Sequence, residues 1–243
     1  PTYQLAVKEG LDANPFSVNR LSKTTRGALS RLVRSEAGIT ELPATKVEVE
    51  KIHAALSEHH SSKILLANEA NEWNIKAIKN PSILHLATHG FFFENESEKK
   101  VHSMNALLNS GLILAGATNF IRDGINPIHE EEDGILTTYE VMNLNLDSTN
   151  LVVLSACETG LGVVQNGEGV YGLQRAFQLA GAKNIIMSLW PVDDEATQSL
   201  MTTFYKQWVL SGDLNRAFRQ AKLEAINKYP NPYYWGAFIL VGN

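Results

Sequence analysis

Cys157 and His89 are the two side chains of this sequence best suited to chemistry. Cys157 is the one cysteine among 243 residues, so it cannot form an internal disulfide. A cysteine thiolate is a nucleophile, and an imidazole can take the thiol proton and later give it to a leaving amine. The pair therefore indicates acyl transfer, unless Cys157 is a small core residue and His89 only completes a strand end.

Glycines accompany both side chains. Gly90 follows His89 directly, and Gly160 comes shortly after Cys157. A glycine lets a substrate carbonyl approach the backbone closely. The backbone amides of Gly90 and Cys157 are therefore candidates for an oxyanion hole, which would stabilise the negative oxygen of a tetrahedral intermediate.

Both side chains follow apolar runs of strand length. The run Leu151–Ala156 is uninterrupted, which predicts a central strand buried on both faces. The run Ile83–Thr88 predicts another strand. Catalytic sites in parallel sheets gather beyond the carboxyl ends of the strands, and His89 and Cys157 stand at two such ends.

The rest of the chain must supply the sheet and its covering helices. From Leu42 onward, strand-length runs alternate with helical periodicities, which predicts an α/β fold with a mainly parallel central sheet flanked by helices. Residues 1–41 form a poorly defined N-terminal segment that could pack on a main domain over 42–243. Further strands are predicted at 63–67, 184–190 and 234–241, and helices at 45–56, at 169–180, after Asp193 or Asp194, and from Asp213. Capping boxes are predicted at Thr45–Glu48 and Thr137–Glu140.

Composition narrows the classes of function. Hydrophobic residues make up 44% of the chain and charged residues 19%, as is typical of a globular protein. The net charge of −5 gives no global basic field, so we expect no direct nucleic-acid partner. No apolar run approaches the roughly 20 residues that span a bilayer, so we expect a cytoplasmic protein without a membrane partner.

Six motif blocks, in order, resemble the CHAT domain family, which belongs with the caspase and separase peptidases. The His-Gly motif of that family corresponds to His89-Gly90, and its Ala-Cys-Glu-Thr-Gly motif corresponds to Ala156–Gly160. The resemblance implies a caspase-like α/β/α sandwich with His89 and Cys157 as a catalytic dyad. The six blocks are Leu42–Glu50, His85–Phe91, Leu151–Gly162, Gly167–Phe177, Ser188–Thr197 and Tyr233–Gly242.

The resemblance also implies an activity. It indicates a cysteine endopeptidase that cleaves a protein or peptide substrate through an acyl-enzyme on Cys157, without a metal or organic cofactor. His89 would then act as the base for the deacylating water. Relatives are commonly controlled by a sensor module or activator protein, and many serve bacterial defence or programmed cell death.

An acidic stretch after the 184–190 strand could set specificity. Relatives commonly recognise the residue before the scissile bond by its charge, and Asp193, Asp194 and Glu195 lie in this stretch. Such a pocket would favour arginine or lysine. Acidic residues are also expected at a helix N-terminus for capping, so both interpretations stay open.

Two other classes of function compete with a peptidase. The same fold could act as a catalytically silent scaffold or interaction domain, and the same dyad could serve a small-molecule amidase or acyltransferase. A serine hydrolase would need a Gly-x-Ser-x-Gly motif, which the sequence lacks. A groove suited to extended peptide would favour the peptidase over a small-molecule enzyme.

Overall fold

A four-stranded sheet forms the centre of the protein, which a computed structural model describes at residues 23–34, 39, 42–57, 60–93, 107–155, 168–190 and 192–242. The strands lie in the order β1 (Ile83–Ala87), β5 (Leu151–Ser155), β6 (Asn184–Ser188) and β7 (Phe238–Gly242). The first three run parallel, and β7 is antiparallel to β6. The mainly parallel sheet predicted from the sequence is confirmed.

A second sheet was not predicted. Its three antiparallel strands are β2 (His89–Phe92), β3 (Ser110–Ile113) and β4 (Ile135–Thr137), in that order. Only Thr88 separates β1 from β2, and the Thr88 hydroxyl donates a hydrogen bond to the carbonyl of Ile113. The chain therefore passes from the central sheet to the small sheet at His89.

Helices pack on both faces of the central sheet. Val152 and Leu154 of β5 share a core with residues of α3 and α6, whereas Leu151 and Val153 share another with α2, α7 and α8. Every residue of β5 is buried, as the uninterrupted apolar run predicted. The helices are α1 (Lys23–Arg34), α2 (Pro43–Ser57), α3 (Glu72–Ala77), α4 (Ala117–Asp123), α5 (Thr138–Val141), α6 (Glu168–Leu179), α7 (Asp194–Ser211), α8 (Leu214–Lys228) and α9 (Tyr233–Gly236).

Several helix boundaries follow the predicted capping chemistry. Thr137 and Glu140 form a reciprocal capping box at α5. The side chain of Asp193 accepts from the Ala196 amide at the start of α7, and Asp213 caps α8 in the same way. Gly181 follows α6 with a φ of 109°, a backbone conformation that residues with a Cβ rarely adopt.

Two local predictions were wrong, and a third was wrong in part, because the strand predicted at 234–241 begins at Phe238 and is preceded by the helix α9. Residues 63–67 form no strand: residues 61–66 lack regular structure, and Ala67–Glu69 is a 3₁₀ turn. The Thr45–Glu48 capping box is absent because α2 begins earlier, at Pro43, a residue that fits the first turn since it needs no N–H partner. Thr45 instead donates its hydroxyl hydrogen to the Leu42 carbonyl, and Glu48 is buried inside the protein.

The helix α1 packs on the small sheet. Leu29 of α1 is fully buried and belongs to a core with Phe91 of β2, Ile113 of β3 and Ile121 of α4. Part of residues 1–41 therefore contributes to the same body as the rest of the chain. Among the residues that the structure describes, no helix is both long and apolar enough to cross a membrane.

Candidate active site

The two strands that precede the catalytic candidates in sequence are neighbours in the central sheet. Ala87 of β1 and Ser155 of β5 are paired in parallel register. His89 comes two residues after Ala87, and Cys157 comes two residues after Ser155. Paired positions of neighbouring strands lie about 5 Å apart, so the carboxyl ends of β1 and β5, which precede the two candidates in sequence, are adjacent. Cys157 itself lies outside the described residues.

His89 occupies the first position of β2. Its side chain is half-buried, and its Cα is paired with that of Ile113 across the small sheet. Gly90, the proposed oxyanion-hole residue, is buried opposite Leu112. The small sheet thus fixes the backbone of His89 and Gly90 from one side, while β1 leads into them from the other.

Asp194 is an acidic residue that interacts electrostatically with His89. Its carboxylate accepts a hydrogen bond of 3.0 Å from the amide of Ala44, which lies in the first turn of α2. Burial raises the pKa of Asp194 above its ordinary value; the Ala44 amide and the charge of His89 act in the opposite direction, and Glu48 adds to the rise. Asp194 therefore interacts electrostatically with His89, as a residue of a charged pocket would.

The other two acidic candidates lie differently. Asp193 is exposed and its carboxylate accepts a 2.9 Å hydrogen bond from the Ala196 amide, which is a capping role. Glu195 is exposed and interacts electrostatically with Lys228 of α8. Of the three acidic residues proposed for specificity, Asp194 is the one for which an electrostatic interaction with His89 is described.

A cavity of about 580 Å³ runs beside β1, which is the edge strand of the central sheet. Residues of α2, of the 60–67 segment and of β1 form most of its walls, and His85, His89 and Tyr205 contribute polar groups to a mostly apolar lining.

A buried polar cluster lies under the strand ends, and the sequence analysis missed it. Glu48 is fully buried in α2, and its Oε2 accepts a 3.0 Å hydrogen bond from the Ser155 hydroxyl. Nε2 of His85 lies 2.9 Å from Oε1 of Glu48, without the alignment of a hydrogen bond. Nδ1 of His85 is 3.1 Å from the hydroxyl of the buried Tyr205. The sequence offered one signal for this cluster, the acidic Glu48, but its spacing from Thr45 suggested a capping box instead.

A second buried cluster surrounds Lys76. Its ammonium lies 2.5 Å from Glu72, 2.7 Å from Glu132 and 3.0 Å from Glu140. Within the described ranges, these three glutamates are the one group of three or more His, Cys, Asp or Glu side chains close enough to share a metal ion. Since the Lys76 ammonium already contacts each carboxylate, the chain supplies its own cation, and we assign the cluster to structure.

This cluster predicts a pH-dependent stability. Burial raises the pKa of Glu72 to about 9, with Glu140 adding to the rise and Lys76 opposing it. Burial likewise raises the pKa of the neighbouring Asp133 to about 6. A carboxyl whose pKa is higher in the folded state stabilises the fold at low pH and loses that contribution as the pH rises to the folded-state pKa.

Between pH 6 and pH 9 the folded chain approaches the Glu72 pKa of about 9, whereas Asp133, with a pKa of about 6, contributes only at the lower end of this window. We expect the free energy of unfolding to fall by about 1 to 3 kcal/mol across this window. Urea denaturation at several pH values measures how steeply the free energy of unfolding falls with pH. It is carried out on the native chain, on Glu72→Gln and on Glu69→Gln, which is an exposed control. Glu72→Gln should flatten the slope and Glu69→Gln should keep it; equal slopes in all three proteins would contradict the assignment.

Comparisons with known proteins agree with the motif blocks. The sequence model of the CHAT domain matches residues 9–243, beginning before Leu42, the first residue of those blocks. Tetratricopeptide repeat protein 28 of Mus musculus is 31% identical over 113 residues, and the Homo sapiens protein of the same name is 31% identical over 111 residues. Each alignment covers 45% of this chain but 4% of the relative, so the chain corresponds to a small part of those proteins.

Proposed function

The chain belongs to the CHAT domain family, whose members are caspase-like, and we propose that it is a cysteine endopeptidase with Cys157 and His89 as its dyad. The proposal includes a caspase-like α/β/α sandwich for the central sheet and its helices. The observation that supports it most directly is the pairing of Ala87 with Ser155, since each dyad residue follows one of them by two positions.

The proposed reaction uses the chain's own groups. His89 takes the proton of the Cys157 thiol, and the thiolate attacks the carbonyl carbon of the scissile bond. The amides of Gly90 and Cys157 stabilise the resulting oxyanion. The intermediate collapses to an acyl-enzyme as His89 protonates the leaving amine, and water then attacks the acyl group while His89 removes its proton.

The acidic residues after β6 form the proposed specificity pocket. Asp193, Asp194 and Glu195 would favour arginine or lysine before the scissile bond, through ion pairing. The electrostatic contact between Asp194 and His89 supports Asp194 most strongly. The Ala44 amide donates to one oxygen of that carboxylate, and the other oxygen is the one that we propose pairs with a substrate cation.

A non-catalytic interaction domain is the second candidate. It is supported by the named relatives, which are tetratricopeptide repeat proteins. On either interpretation we propose a regulatory partner, a sensor module or activator protein. The proposed cytoplasmic location rests on the sequence, in which no apolar run approaches a membrane span, and the proposed role in bacterial defence or cell death rests on the family resemblance.

Cleavage of a positional peptide library tests the proposal. The native chain, Cys157→Ala and His89→Ala are compared after circular dichroism has established that all three are folded. We expect the native chain to cleave after arginine or lysine and both variants to be inactive.

Accessibility of the thiol distinguishes the two candidates. If the native chain cleaves nothing while Cys157 reacts readily with a thiol reagent, the interaction domain is favoured over a peptidase. Cleavage that survives in Cys157→Ala would exclude the proposed nucleophile, and cleavage without preference for a basic residue would exclude the acidic pocket.

A further inference from the structure

The buried carboxylate of Glu48 stands out from the surrounding apolar core. It is 0% exposed, and it lies between α2 and the central sheet, where Ile52 and Leu56 of the same helix pack on β5 and β6. Withdrawing an ionised carboxylate from water costs several kcal/mol unless polar partners compensate. An apolar side chain would fill the same space without that cost, so packing alone does not explain a glutamate here.

The partners of Glu48 belong to the two strands that lead to the proposed dyad. Ser155, the last residue of β5, donates its hydroxyl hydrogen to Oε2 over 3.0 Å. His85 of β1 places Nε2 2.9 Å from Oε1. Cys157 follows Ser155 by two residues, and His89 follows His85 by four. One carboxylate thus contacts both strands just before their catalytic ends.

Other charged or titratable groups also face this carboxylate. Tyr205 of α7 reaches it through His85, with 3.1 Å between the hydroxyl and Nδ1, and its pKa is raised well above the ordinary value by burial, with the Glu48 charge adding to the rise. Asp194, at the start of α7, interacts with the charges of both Glu48 and His89. The cluster therefore connects α2, β1, β5 and α7 around the edge where the reaction would occur.

We infer that Glu48 is a positioning residue, whose carboxylate fixes the end of β5 relative to β1 and so sets the approach of the Cys157 thiol to the His89 imidazole. The inference rests on the proposed dyad. Glu48 lies beneath the strand ends and would act through Ser155 and His85, without touching substrate. Because a displacement of about 1 Å can slow catalysis by about 100-fold, a loss of this contact should affect kcat rather than KM.

Ser155→Ala is the sharper test because it removes the link to β5 and leaves the Glu48 charge in place. We expect kcat to fall by about 10- to 100-fold with KM changed less than about 2-fold. Glu48→Gln keeps an oxygen that can accept from Ser155 but loses the carboxylate that faces His85, so it should lower kcat by no more than Ser155→Ala does. Glu50→Gln, an exposed glutamate of the same helix, is the matched control and should match the native chain.

The pH dependence of thiol alkylation separates a positioning role from a merely structural one, because loss of stability alone would not change the midpoint of the alkylation profile. Because Cys157 is the one cysteine of the chain, iodoacetamide reports on it alone, with no peptide substrate required. A nearby imidazolium lowers a thiol pKa, so Ser155→Ala should shift the alkylation profile upward, toward the free-thiol value of about 8.5. Partial unfolding would change the amplitude of the folded component and leave its midpoint in place.

The two assays separate this inference from the proposed function. An alkylation profile that shifts in Ser155→Ala supports Glu48 as a positioning residue even if the native chain cleaves no peptide, in which case the endopeptidase proposal fails alone. Folded Ser155→Ala and Glu48→Gln proteins with native kcat and a native alkylation midpoint would overturn the inference while the endopeptidase stands.

Discussion

Replacing Lys76 with methionine is expected to lower the free energy of unfolding by about 3 to 5 kcal/mol. The Lys76 ammonium contacts three buried glutamates within 3.0 Å, and its side chain is 16% exposed. Methionine preserves most of the aliphatic stem but leaves Glu72, Glu132 and Glu140 without their cation. At pH 7 Glu72 stays protonated, since its pKa is about 9, so the loss falls on the buried carboxylate of Glu140, whose pKa burial raises and Lys76 lowers. Without the ammonium, Glu140 would have to take up a proton or reach water by local opening, and either process costs stability.

Urea denaturation at pH 7, followed by circular dichroism, measures this loss. Lys79→Met is the matched control, since Lys79 is exposed three residues away on the same segment and should change stability by less than about 0.5 kcal/mol. Lys76→Arg keeps the charge, so its free energy of unfolding should lie between those of Lys76→Met and Lys79→Met. Equal midpoints for Lys76→Met and Lys79→Met would show that the buried carboxylates do not depend on the ammonium.

The parallel core of the fold could be predicted because its signal is local and strong. The run Leu151–Ser155 is apolar at nearly every position, and a strand buried on both faces needs that composition. The predicted strand ends also marked His89 and Cys157 as candidates, since catalytic groups in parallel sheets gather beyond the carboxyl ends of the strands. The register that makes these ends neighbours, Ala87 with Ser155, came only from the structure.

The small antiparallel sheet could not be predicted for the opposite reason. Its strands have three or four residues each, too few to display a period of two. The pairing of His89 with Ile113 joins residues far apart in sequence, and no local pattern encodes such a contact. The run 63–67 shows the converse error, because its apolar residues line the cavity beside β1 without pairing.

Glu48 illustrates a different limit of sequence reasoning. Its spacing from Thr45 matches a capping box, and an acidic residue early in a helix is ordinarily explained by the helix dipole. Whether that side chain turns toward solvent or toward the sheet depends on where the helix begins and on what packs beside it. Here α2 begins at Pro43, and Glu48 faces Ser155 and His85. A polar residue matching one local rule can therefore serve another purpose.

Substituting His89 by glutamine is expected to lower kcat/KM for the best library peptide by about 1,000-fold, the size of a lost general acid and base. His85→Gln is the informative comparison, because His85 lies four residues earlier and lines the same cavity. His85 contacts Glu48 and Tyr205 and would act only by positioning. Its loss should therefore cost about 10-fold, near the lower end of the effect expected for Ser155→Ala.

The pH profile of kcat/KM decides which histidine transfers the proton. In the native chain and in His85→Gln, kcat/KM should change with pH as the catalytic imidazole titrates. In His89→Gln, both this pH dependence and the activity should be lost. Both variants keep a side chain of similar volume and polarity, so circular dichroism should report the same fold. If His85→Gln instead loses the limb and the larger share of activity, the dyad assignment moves from His89 to His85, and the Glu48–His85 contact becomes part of the catalytic machinery rather than its support.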